Sequence, residues 1–423
     1  MAATAFVRWL PRKLGCFPGA ESRRLSLADF LPRLQTRLLI LQPTSFCNID
    51  CDYCYLPDRN SSARMSLITL RLAAERLRDD GLAGATLTVV WHAGEPLAMP
   101  RGFYDDAADL LDEVLGNSCA VSHSIQTNAT LIDDRWCELF KRRGFRIGVS
   151  VDGPAALHDA HRRTRTGRGT HDRVLRGMAL LRAHGIPFHA IAVVTPATFA
   201  QADAFFDFFV EQSVTEVGCN FDEAEGLHTA SSLSGHESAH AAFVSRLLER
   251  SIDAGAVLRV RELSMALQLI SQPLPRYRWQ GQDWPDNVQT QPFALITVAH
   301  NGDFSSFSPE LLGQPSSEFD NFILGNVARA SYLDSSRNPT FNRLWEAIVR
   351  GTRACERGCA HFGFCGGGAP ANKLYENGDL ASAETLYCRT MVKRPFDAVL
   401  ARLEQGRRTA GAPATPPSDQ IDA

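Results

Sequence analysis

Short apolar segments rich in β-forming residues alternate with segments whose apolar residues recur at helical spacing. In LITLRLAAERLRDDG, for example, Leu67, Leu70, Ala74 and Leu77 share one helical face, and Gly81 marks an end. The strand-like segments are RLLILQP (37–43), TLTVVW (86–91), VSHSIQT (121–127), RIGVSV (146–151), FHAIAVV (188–194) and EVGCNF (216–221). Repeated strand and helix units predict a parallel sheet with helices packed outside it. The predicted fold class is α/β, a curved, partial (β/α)6 barrel.

Unusual polar residues follow the carboxyl ends of these predicted strands. The segments are CNIDCDYCY (47–55), HAGEP (92–96), QTN (126–128), SVDGP (150–154) and CNFDEAEG (219–226). Ligands of such folds collect where the strands end and the loops begin. The sequence therefore predicts one functional rim.

Length and charge exclude some classes of partner. With 423 residues, the chain can form two or three domains, or one large α/β domain with an appendage. A formal charge of -3, with 22% charged residues, gives no global attraction to nucleic acid or to an anionic membrane. No apolar run approaches the roughly 18 residues of a membrane-spanning helix. We expect a soluble, unexported, cytoplasmic protein with no nucleic-acid or membrane partner.

Seven of the eleven cysteines fall into two groups. The first group is Cys47, Cys51 and Cys54, and the second is Cys355, Cys359, Cys365 and Cys388. In a reducing cytosol, such grouping favours metal ligation over disulfides. The scattered Cys16, Cys119, Cys137 and Cys219 are interpreted as small buried apolar residues.

The first group has three thiols, one fewer than a [4Fe-4S] cluster has irons. One iron is then left with an open position for a substrate or cofactor. The spacing CxxxCxxC, followed by Tyr55 and placed after the first strand, resembles the cluster-binding loop of the radical S-adenosylmethionine (SAM) superfamily. The resemblance implies that the open iron binds the amino and carboxylate groups of SAM. The alternative is a three-thiolate zinc site or a chance cluster of cysteines.

Other rim motifs resemble the SAM contacts of that superfamily. HAGEP resembles its GGEP motif, with Ala93 in place of the first glycine, and implies that Gly94 and Glu95 meet the SAM amino group. Asn128 and Ser150 match positions near the ribose and carboxylate. Arg162 is a candidate carboxylate partner because its fork can bind bidentately, although a solvated arginine is the alternative. The expected cofactor-binding residues are Tyr55, Gly94, Glu95, Asn128, Ser150 and Arg162.

The spacing of the second cysteine group is compatible with a structural zinc or with a complete iron-sulfur cluster. The sequence CGGG after Cys365 resembles the SPASM extension of peptide-modifying radical SAM enzymes. That extension usually holds two auxiliary clusters, but a cysteine expected there is Ala369, and a Cys-Asp pair expected near 307 and 308 is Phe307 and Ser308. We therefore expect one auxiliary [4Fe-4S] cluster, ligated by Cys355, Cys359, Cys365 and Cys388, with no open iron.

Longer strings, over residues 36 to 395, resemble the cyclophane-forming radical SAM/SPASM peptide maturases. They include QPTSFCNIDCDYCYLPDR, CNFDEAEGLHTASSLSG, FSPELLG and CGGGAPANKLYENG. The resemblance implies a ribosomally made precursor peptide, with leader and core, as substrate. A 5′-deoxyadenosyl radical would abstract a β-hydrogen, and the β-carbon would bond to an aromatic ring. The auxiliary cluster would accept the remaining electron, and a flavodoxin or ferredoxin would supply low-potential electrons.

The proton acceptor is expected among Asp222, Glu223 and Glu225, just past the sixth strand, although a solvated acidic loop is the alternative. Two other peptide-modifying activities share the same first cluster. They are the formylglycine-type maturation of sulfatases and thioether formation. A zinc-stabilised binding module is the non-enzymatic alternative.

We expect five regions along the chain. They are an N-terminal extension (1–35), the radical SAM partial barrel (36–235), a connecting helical and loop segment (236–290), the SPASM-like domain (291–395), and a helix end with a disordered tail (396–423). The tail is expected to be disordered from Gln405, because it is rich in Pro, Ala and small polar residues. The extension is too short for a leader-binding domain, so the leader is expected to bind the barrel, the connecting segment or a separate protein.

Overall fold

In the computed structural model of the chain, residues 25–255, 257–272 and 274–411 are described. Cys16, most of the predicted extension and the last part of the predicted tail lie outside these ranges. The predicted α/β fold is confirmed, because all six predicted strands are present within three residues of their expected bounds. The strands are β1 Thr36–Gln42, β2 Ile49–Cys51, β3 Ala83–Trp91, β4 Ala120–Thr127, β5 Arg146–Ser150, β6 Arg162–Thr164, β7 Phe188–Val194, β8 Glu216–Phe221, β9 Arg259–Val260, β10 Arg276–Trp279, β11 Gln282–Pro285, β12 Leu295–Ala299, β13 Asp303–Ser306 and β14 Gly325–Asn326.

Helices lie between the strands along the chain, and those from α10 onward follow the last strand. They are α1 Leu67–Asp79, α2 Arg101–Leu115, α3 Asp134–Arg143, α4 Ala155–His161, α5 His171–Ala183, α6 Pro196–Phe199, α7 Ala202–Glu211, α8 Glu237–Asp253, α9 Arg261–Ser271, α10 Tyr332–Ser335, α11 Pro339–Gly358, α12 Phe362–Cys365, α13 Pro370–Asn377 and α14 Arg394–Gly411. A π-helical turn, Cys388–Lys393, leads into α14.

Local sequence explains where the barrel helices begin, end and face. In α1, the side chain of Ser66 accepts a hydrogen bond from Thr69 N, and the buried positions are Leu70, Ala73, Ala74 and Leu77. Helix α3 is capped at its N-terminus by Asp133, whose side chain accepts from Trp136 N, and at its C-terminus by Gly144 in a left-handed conformation. The apolar faces therefore pack on the sheet, and the polar faces meet solvent.

One sheet of ten strands runs through the described molecule, in the order β14-β13-β12-β1-β3-β4-β5-β7-β8-β9. The strands from β12 to β9 in this order pair in parallel, so their carboxyl ends meet on one rim. Strand β12 pairs with β1, with Leu38 opposite Leu295 and Gln42 opposite Ala299. The hairpin β12-β13 thus extends the barrel sheet beyond the six predicted strands.

The connecting segment contains α8, α9 and the hairpin β10-β11. Its tryptophans, Trp279 and Trp284, are each 3% exposed. Trp279 lies 5.5 Å from Phe30 and 5.7 Å from Trp345, measured between ring centroids. These aromatic residues are part of the core and do not line an open groove.

The predicted disorder from Gln405 is wrong for residues 405–411, which continue α14. The physical reason is that α14 presents apolar residues to the molecule, with Phe396 and Val399 both buried, so its first turns hold the helix in place. Among the helices of the described residues, none is both long enough and apolar enough to cross a bilayer.

Candidate active site

A cavity of about 260 Å³ opens at the carboxyl ends of the parallel strands. The residues predicted as ligands of the first cluster, as cofactor contacts and as proton acceptors all line this cavity. The set is Cys47, Cys51, Cys54, Tyr55, Gly94, Glu95, Asn128, Ser150, Arg162, Asp222, Glu223 and Glu225. The alternation of strands, helices and loops brings these residues together from six separate segments of the chain.

Two arginine side chains donate hydrogen bonds to main-chain carbonyl oxygens of the three-cysteine loop and hold it in a defined conformation. Arg165 donates to the carbonyl oxygen of Cys47 through Nε at 2.9 Å and Nη2 at 2.5 Å. Arg59 donates to the carbonyl oxygen of Cys51 at 3.2 Å. The three thiols are free, and the amide Nδ2 of Asn128 lies 3.8 Å from Cys47 Sγ. The loop therefore presents three sulfurs to the cavity without using them in its own structure.

Burial favours the protonated thiol at two of the three cysteines, Cys47 and Cys51, until a metal replaces the proton. Loss of solvation, and then the charge of Glu95, raise the pKa of Cys47 to about 11. Loss of solvation raises the pKa of Cys51 to about 12 against the lowering effect of Arg162. Metal binding at such a site releases protons, so cluster assembly should be favoured at higher pH.

Gly94 allows the HAGEP loop to pack directly against the cysteine loop. Its φ is +57°, and a Cβ there would lie 2.5 Å from the carbonyl oxygen of Phe46. Glu95 N donates to the same oxygen at 2.7 Å. Ala93, which stands in place of the first glycine of the GGEP motif, also has a left-handed conformation, with φ +74°. This conformation costs a non-glycine residue about 1 to 2 kcal/mol, which a glycine would avoid.

Glu95 connects the ends of β3 and β4. Its Oε1 accepts from Leu97 N at 3.0 Å and from Thr127 Oγ1 at 2.6 Å, and its Oε2 accepts from Asn128 N at 2.8 Å. Burial raises the pKa of Glu95 to about 7, although these hydrogen bonds oppose the shift. The carboxylate thus has a structural role, and its predicted contact with the SAM amino group stays a prediction.

Arg162 is 7% exposed, so the interpretation of a solvated arginine is wrong. Its Nε and Nη2 pair with Asp152 at 2.8 and 3.0 Å, and the hydroxyl of Tyr53 donates to Asp152 at 2.5 Å. The fork of Arg162 therefore already binds a carboxylate of this chain. Asp152 was not singled out by the sequence analysis, although the SVDGP motif contains it.

Two other predicted cofactor residues occupy different surroundings on the rim. The hydroxyl of Ser150 accepts a hydrogen bond from Gln126 Nε2 at 2.8 Å. Tyr55 has a buried hydroxyl for which the described residues provide no hydrogen-bond partner. Burial, and then the charges of Glu310 and Glu225, hold the pKa of Tyr55 well above its usual value. Tyr55 therefore faces the acidic side of the cavity.

The three candidate proton acceptors differ in their surroundings. The carboxylate of Asp222 accepts from His228 Nε2 at 2.9 Å, and from the amide and hydroxyl of Ser232 at 2.7 and 2.6 Å. It therefore anchors the loop after β8. Glu223 accepts from Asn372 Nδ2 at 2.7 Å. Burial is the main cause that raises the pKa of both Glu223 and Glu225 above the ordinary range.

Glu310 is a functional candidate that the sequence analysis missed. Burial raises its pKa, and its charge in turn raises the pKa of Glu223 and of Glu225. The string FSPELLG contains this residue, but nothing in its local pattern places it beside a loop more than 80 positions earlier in the chain. Glu223 and Glu225 are partly exposed and line the cavity, so their role as proton acceptors stays a prediction.

The four cysteines of the second group come from the end of α11, from α12 and from the turn before α14. Burial, with smaller contributions from the nearby Cys388, Cys359 and Cys355, raises the pKa of Cys365 to about 11. A Cβ on Gly368 would lie 3.5 Å from Cys388 Sγ. The four thiols are therefore neighbours in space.

The positions that depart from the two-cluster pattern are built into the core. Phe307 is fully buried, with its ring centroid 6.1 Å from that of Phe341. Ser308 donates to Gln289 Oε1 at 2.9 Å and accepts from Ala371 N at 3.3 Å. Ala369 is the N-cap of α13. Phe307, Ser308 and Ala369 therefore supply no thiol for a second auxiliary cluster, and the thiols described around the CGGG turn are those of the four-cysteine set.

The donor chemistry of both sites fits iron-sulfur clusters. In the part of the chain that the structure describes, no three or more His, Cys, Asp and Glu side chains are placed to bind one common metal ion, so the cluster assignment rests on the type and number of the sulfur donors. Thiolates of a [4Fe-4S] cluster bind one iron each, and soft sulfur donors suit such clusters. Cys47, Cys51 and Cys54 would hold an open cluster, and the four cysteines of the second group would hold a closed one.

Comparisons with known sequences agree with the fold and the cysteine loop. The profile of the Radical SAM superfamily matches residues 41–209. The uncharacterized protein sll1766 of Synechocystis sp. is 37% identical over 390 residues, which is 90% of this chain and 95% of that protein. The serine-type anaerobic sulfatase-maturating enzyme of Klebsiella aerogenes is 39% identical over 163 residues, 38% of this chain and 40% of its own length.

Two solved structures share the architecture. Native anSMEcpe with bound AdoMet and Cp18Cys peptide superposes with a TM-score of 0.69 at 20% identity, over 89% of this chain and 99% of that chain. Streptococcus suis SuiB bound to precursor peptide SuiA superposes with a TM-score of 0.59 at 16% identity, over 84% of this chain and 76% of that chain. At these identities the likeness shows a common fold.

Proposed function

Because the chain belongs to the radical SAM superfamily, we propose that it cross-links a ribosomally made precursor peptide by joining a β-carbon to an aromatic ring, which forms a cyclophane. The observation that carries this proposal is the cavity itself. It combines an open set of three thiols with several carboxylates, and one of these, Glu223, contacts α13, the helix that lies between Cys365 and Cys388 in the chain. The substrate would lose a hydrogen atom to the 5′-deoxyadenosyl radical, a proton to a carboxylate and an electron to the four-cysteine site.

The three-cysteine cluster, with SAM at its open iron, would supply a 5′-deoxyadenosyl radical that removes one hydrogen atom from an unactivated C-H bond. The chain positions the reactants. Gly94 keeps the HAGEP backbone close to the cysteine loop, and Asn128 lies beside Cys47. We propose that Tyr55, Glu95, Ser150 and Arg162 complete the SAM site, with Asp152 orienting Arg162. A closed site of this kind keeps water and misplaced C-H bonds away from the radical.

Restoring aromaticity after the ring has bonded to the β-carbon radical requires loss of one proton and one electron. Glu223 and Glu225 are the better proton acceptors, because burial makes them stronger bases than ordinary glutamates. Asp222 already accepts three hydrogen bonds that hold its loop. We therefore assign the proton to Glu223 or Glu225 and the electron to the auxiliary four-cysteine cluster.

The proposed partners are a precursor peptide and a low-potential electron donor such as a flavodoxin or ferredoxin. The peptide is supported by the shared fold of anSMEcpe and SuiB, whose solved structures contain peptides. The proposed leader site is the barrel, the connecting segment or a separate protein. Since the aromatic residues of β10-β11 are buried, they do not provide a groove for it.

Sulfatase maturation is the second candidate, because the barrel is 39% identical to a sulfatase-maturating enzyme over 163 residues. The C-terminal part favours cross-linking. Phe307, Ser308 and Ala369 occupy positions that a two-cluster extension would give to ligands and an aspartate, and all three are packed into the structure. A thioether-forming activity would require a cysteine in the substrate peptide.

The test is anaerobic co-expression with a short peptide encoded beside the gene, followed by mass spectrometry. We expect a loss of about 2 Da, two hydrogens, per linkage, with fragmentation that places the bond between a β-carbon and an aromatic ring. Unchanged mass of a peptide that binds the loaded enzyme would refute the proposal. Conversion of a serine or cysteine in a sulfatase peptide to an aldehyde would establish the second candidate, and zinc without sulfide would exclude radical chemistry.

The proton acceptor can be tested in the same assay. Glu223→Gln and Glu225→Gln should each be compared with Asp222→Asn for two products, 5′-deoxyadenosine and the cross-linked peptide. We expect the variant at the true acceptor to form 5′-deoxyadenosine while cross-linking falls at least about 100-fold. Asp222→Asn should instead lower the melting temperature, because its loop loses an anchor. Normal cross-linking in both glutamine variants would contradict the assignment.

A further inference from the structure

A lysine is buried at the four-cysteine site. Lys373, in α13, is 3% exposed, and its Nζ lies 3.4 Å from Cys355 Sγ. The slot for this ammonium exists because residue 351 of α11 is glycine. A Cβ there would lie 3.0 Å from Lys373 Nζ and 2.3 Å from the carbonyl oxygen of Leu380. The structure thus makes room for a charge in its interior.

No carboxylate neutralises this charge among the residues that the structure describes. The described ion pairs do not include Lys373, and its one hydrogen-bond partner there is Cys355 Sγ. Burying an uncompensated ammonium costs several kcal/mol, so buried lysines are normally paired with an anion. The available anion is the set of four cysteines, once their thiols are deprotonated by a metal cluster.

We propose that Lys373 is a positioning residue of the auxiliary cluster: it donates an N-H···S hydrogen bond to Cys355 and stabilises the reduced form of that cluster. This inference rests on the proposed auxiliary cluster. In the proposed reaction, the four cysteines would hold the cluster that accepts the electron of the ring-centred peptide radical, while Glu223 or Glu225 accepts the proton. The reduced cluster would carry one more negative charge, which the nearby ammonium of Lys373 would favour. Lys373 therefore raises the reduction potential of the electron acceptor.

The neighbour of Lys373 connects this site to the cavity. Asn372 precedes it in α13 and donates through Nδ2 to Glu223 at 2.7 Å. Two consecutive residues of one helical turn thus contact the candidate proton acceptor and the candidate electron acceptor. The helix fixes both groups relative to each other, as removal of a proton and an electron from one substrate requires.

The experiment isolates the auxiliary cluster in the full chain. The background Cys47→Ala/Cys51→Ala/Cys54→Ala removes the ligands of the first cluster, so the remaining iron reports on the second. Iron and sulfide content and the potential at which the reduced cluster gives its paramagnetic resonance signal are measured for this background and for the added variants Lys373→Met, Lys373→Gln and Lys373→Arg. A background without iron would refute the auxiliary cluster itself, before any lysine is changed.

We expect Lys373→Met and Lys373→Gln to lower the equilibrium constant for one-electron reduction at least about tenfold, where tenfold corresponds to 59 mV. Lys373→Arg, which keeps the charge, should stay closer to the parent. The matched control is Lys393→Met. Lys393 also lies near Cys359 and Cys388, but it is partly exposed and pairs with Glu384 at 2.7 Å. Its removal should change the potential less.

Each remaining outcome decides the question. An intact cluster with the parent potential in Lys373→Met or Lys373→Gln overturns the proposal. Equal shifts in Lys373→Met and Lys393→Met also overturn it, because a general surface effect would then suffice. Loss of the cluster in all three Lys373 variants, including arginine, shows a purely structural lysine and rejects the electrostatic role. Loss in Lys373→Met alone, with a lowered potential in Lys373→Gln, supports it.

Discussion

Glu95 shows how burial changes the chemistry of one residue. The HAGEP motif suggests a carboxylate that is free to bind a ligand. In the structure, however, Glu95 is 1% exposed and accepts three hydrogen bonds within the chain. An ionised carboxylate in this position loses solvation, and the surrounding donors compensate only in part. Its pKa of about 7 is the result.

This pKa predicts a pH dependence of stability in the SAM-free protein. A folded-state pKa of about 7, above the ordinary 4.5, means that the folded state holds the proton more tightly than the unfolded state. The stabilisation that comes from the tighter proton binding of Glu95 is therefore fully present below pH 4.5, and it is lost as the pH rises through 7. The free energy of unfolding of Glu95→Gln, measured with urea and compared with that of wild type, should rise by about 3 kcal/mol between pH 4.5 and pH 8.

Glu113→Gln is the control for this measurement. Glu113 is on the surface, where a hydrogen bond and the charge of Arg71 lower its pKa. The sign of its pH dependence is therefore opposite, and solvent screening keeps the change small. If the difference in the free energy of unfolding between Glu95→Gln and wild type did not change with pH, Glu95 would ionise normally in the folded protein.

The sequence predicts which residues reach the rim better than it predicts their partners. Eleven of the twelve rim residues could be named because they follow predicted strands, and the ends of parallel strands converge, whereas Arg162 was named for its fork. Asp152, Glu310 and Lys373 were missed, since their importance comes from neighbours that are distant in sequence. No local pattern distinguishes a buried Arg162 from the exposed arginines around it.

At the scale of elements, the strand and helix pattern predicted the barrel well. Its apolar periodicity and caps are local properties, and these determine where α1 and α3 begin and end. The pairing of β12 with β1 was not predicted, because parallel pairing joins segments more than 250 residues apart. The helical extension of α14 was also missed, since composition suggested disorder where packing holds a helix.

The CGGG turn is an element whose geometry can be tested. Gly367 has φ +106°, and a Cβ there would lie 2.9 Å from Thr352 Cγ2. Gly367→Ala should therefore displace Cys365 from its three partners and prevent assembly of the auxiliary cluster. With two [4Fe-4S] clusters as the proposed complement, we expect iron to fall from about eight to about four per chain after anaerobic reconstitution.

Gly363→Ala is the matched control for the turn. Gly363 is only two residues before Cys365, and a Cβ there would have no neighbour within 4 Å. This variant should keep the full iron content. Retention of about eight irons by Gly367→Ala would mean that the turn tolerates a side chain and that the cluster does not depend on its conformation.

At the scale of the whole molecule, the barrel and the C-terminal part share one sheet and one core. Strand β1 lies between β3 and β12, and the hydroxyl of Tyr332 in α10 donates to the carbonyl oxygen of Ala73 in α1 at 3.1 Å. Removal of the C-terminal part would expose an apolar strand edge at the centre of the sheet. The four-cysteine site is therefore held at a fixed position relative to the three-cysteine loop.

This continuity predicts that the two parts unfold together. Ile296, in β12, is fully buried, so Ile296→Ala should destabilise the protein by about 2 to 5 kcal/mol. Hydrogen exchange measured by mass spectrometry should then show lower protection in β4 of the barrel as well as in α11 of the C-terminal part, by similar free energies. If α11 alone lost protection while β4 kept it, the two parts would be separate folding units, and a rigid arrangement of the two cluster sites would have to come from the bound clusters or the peptide.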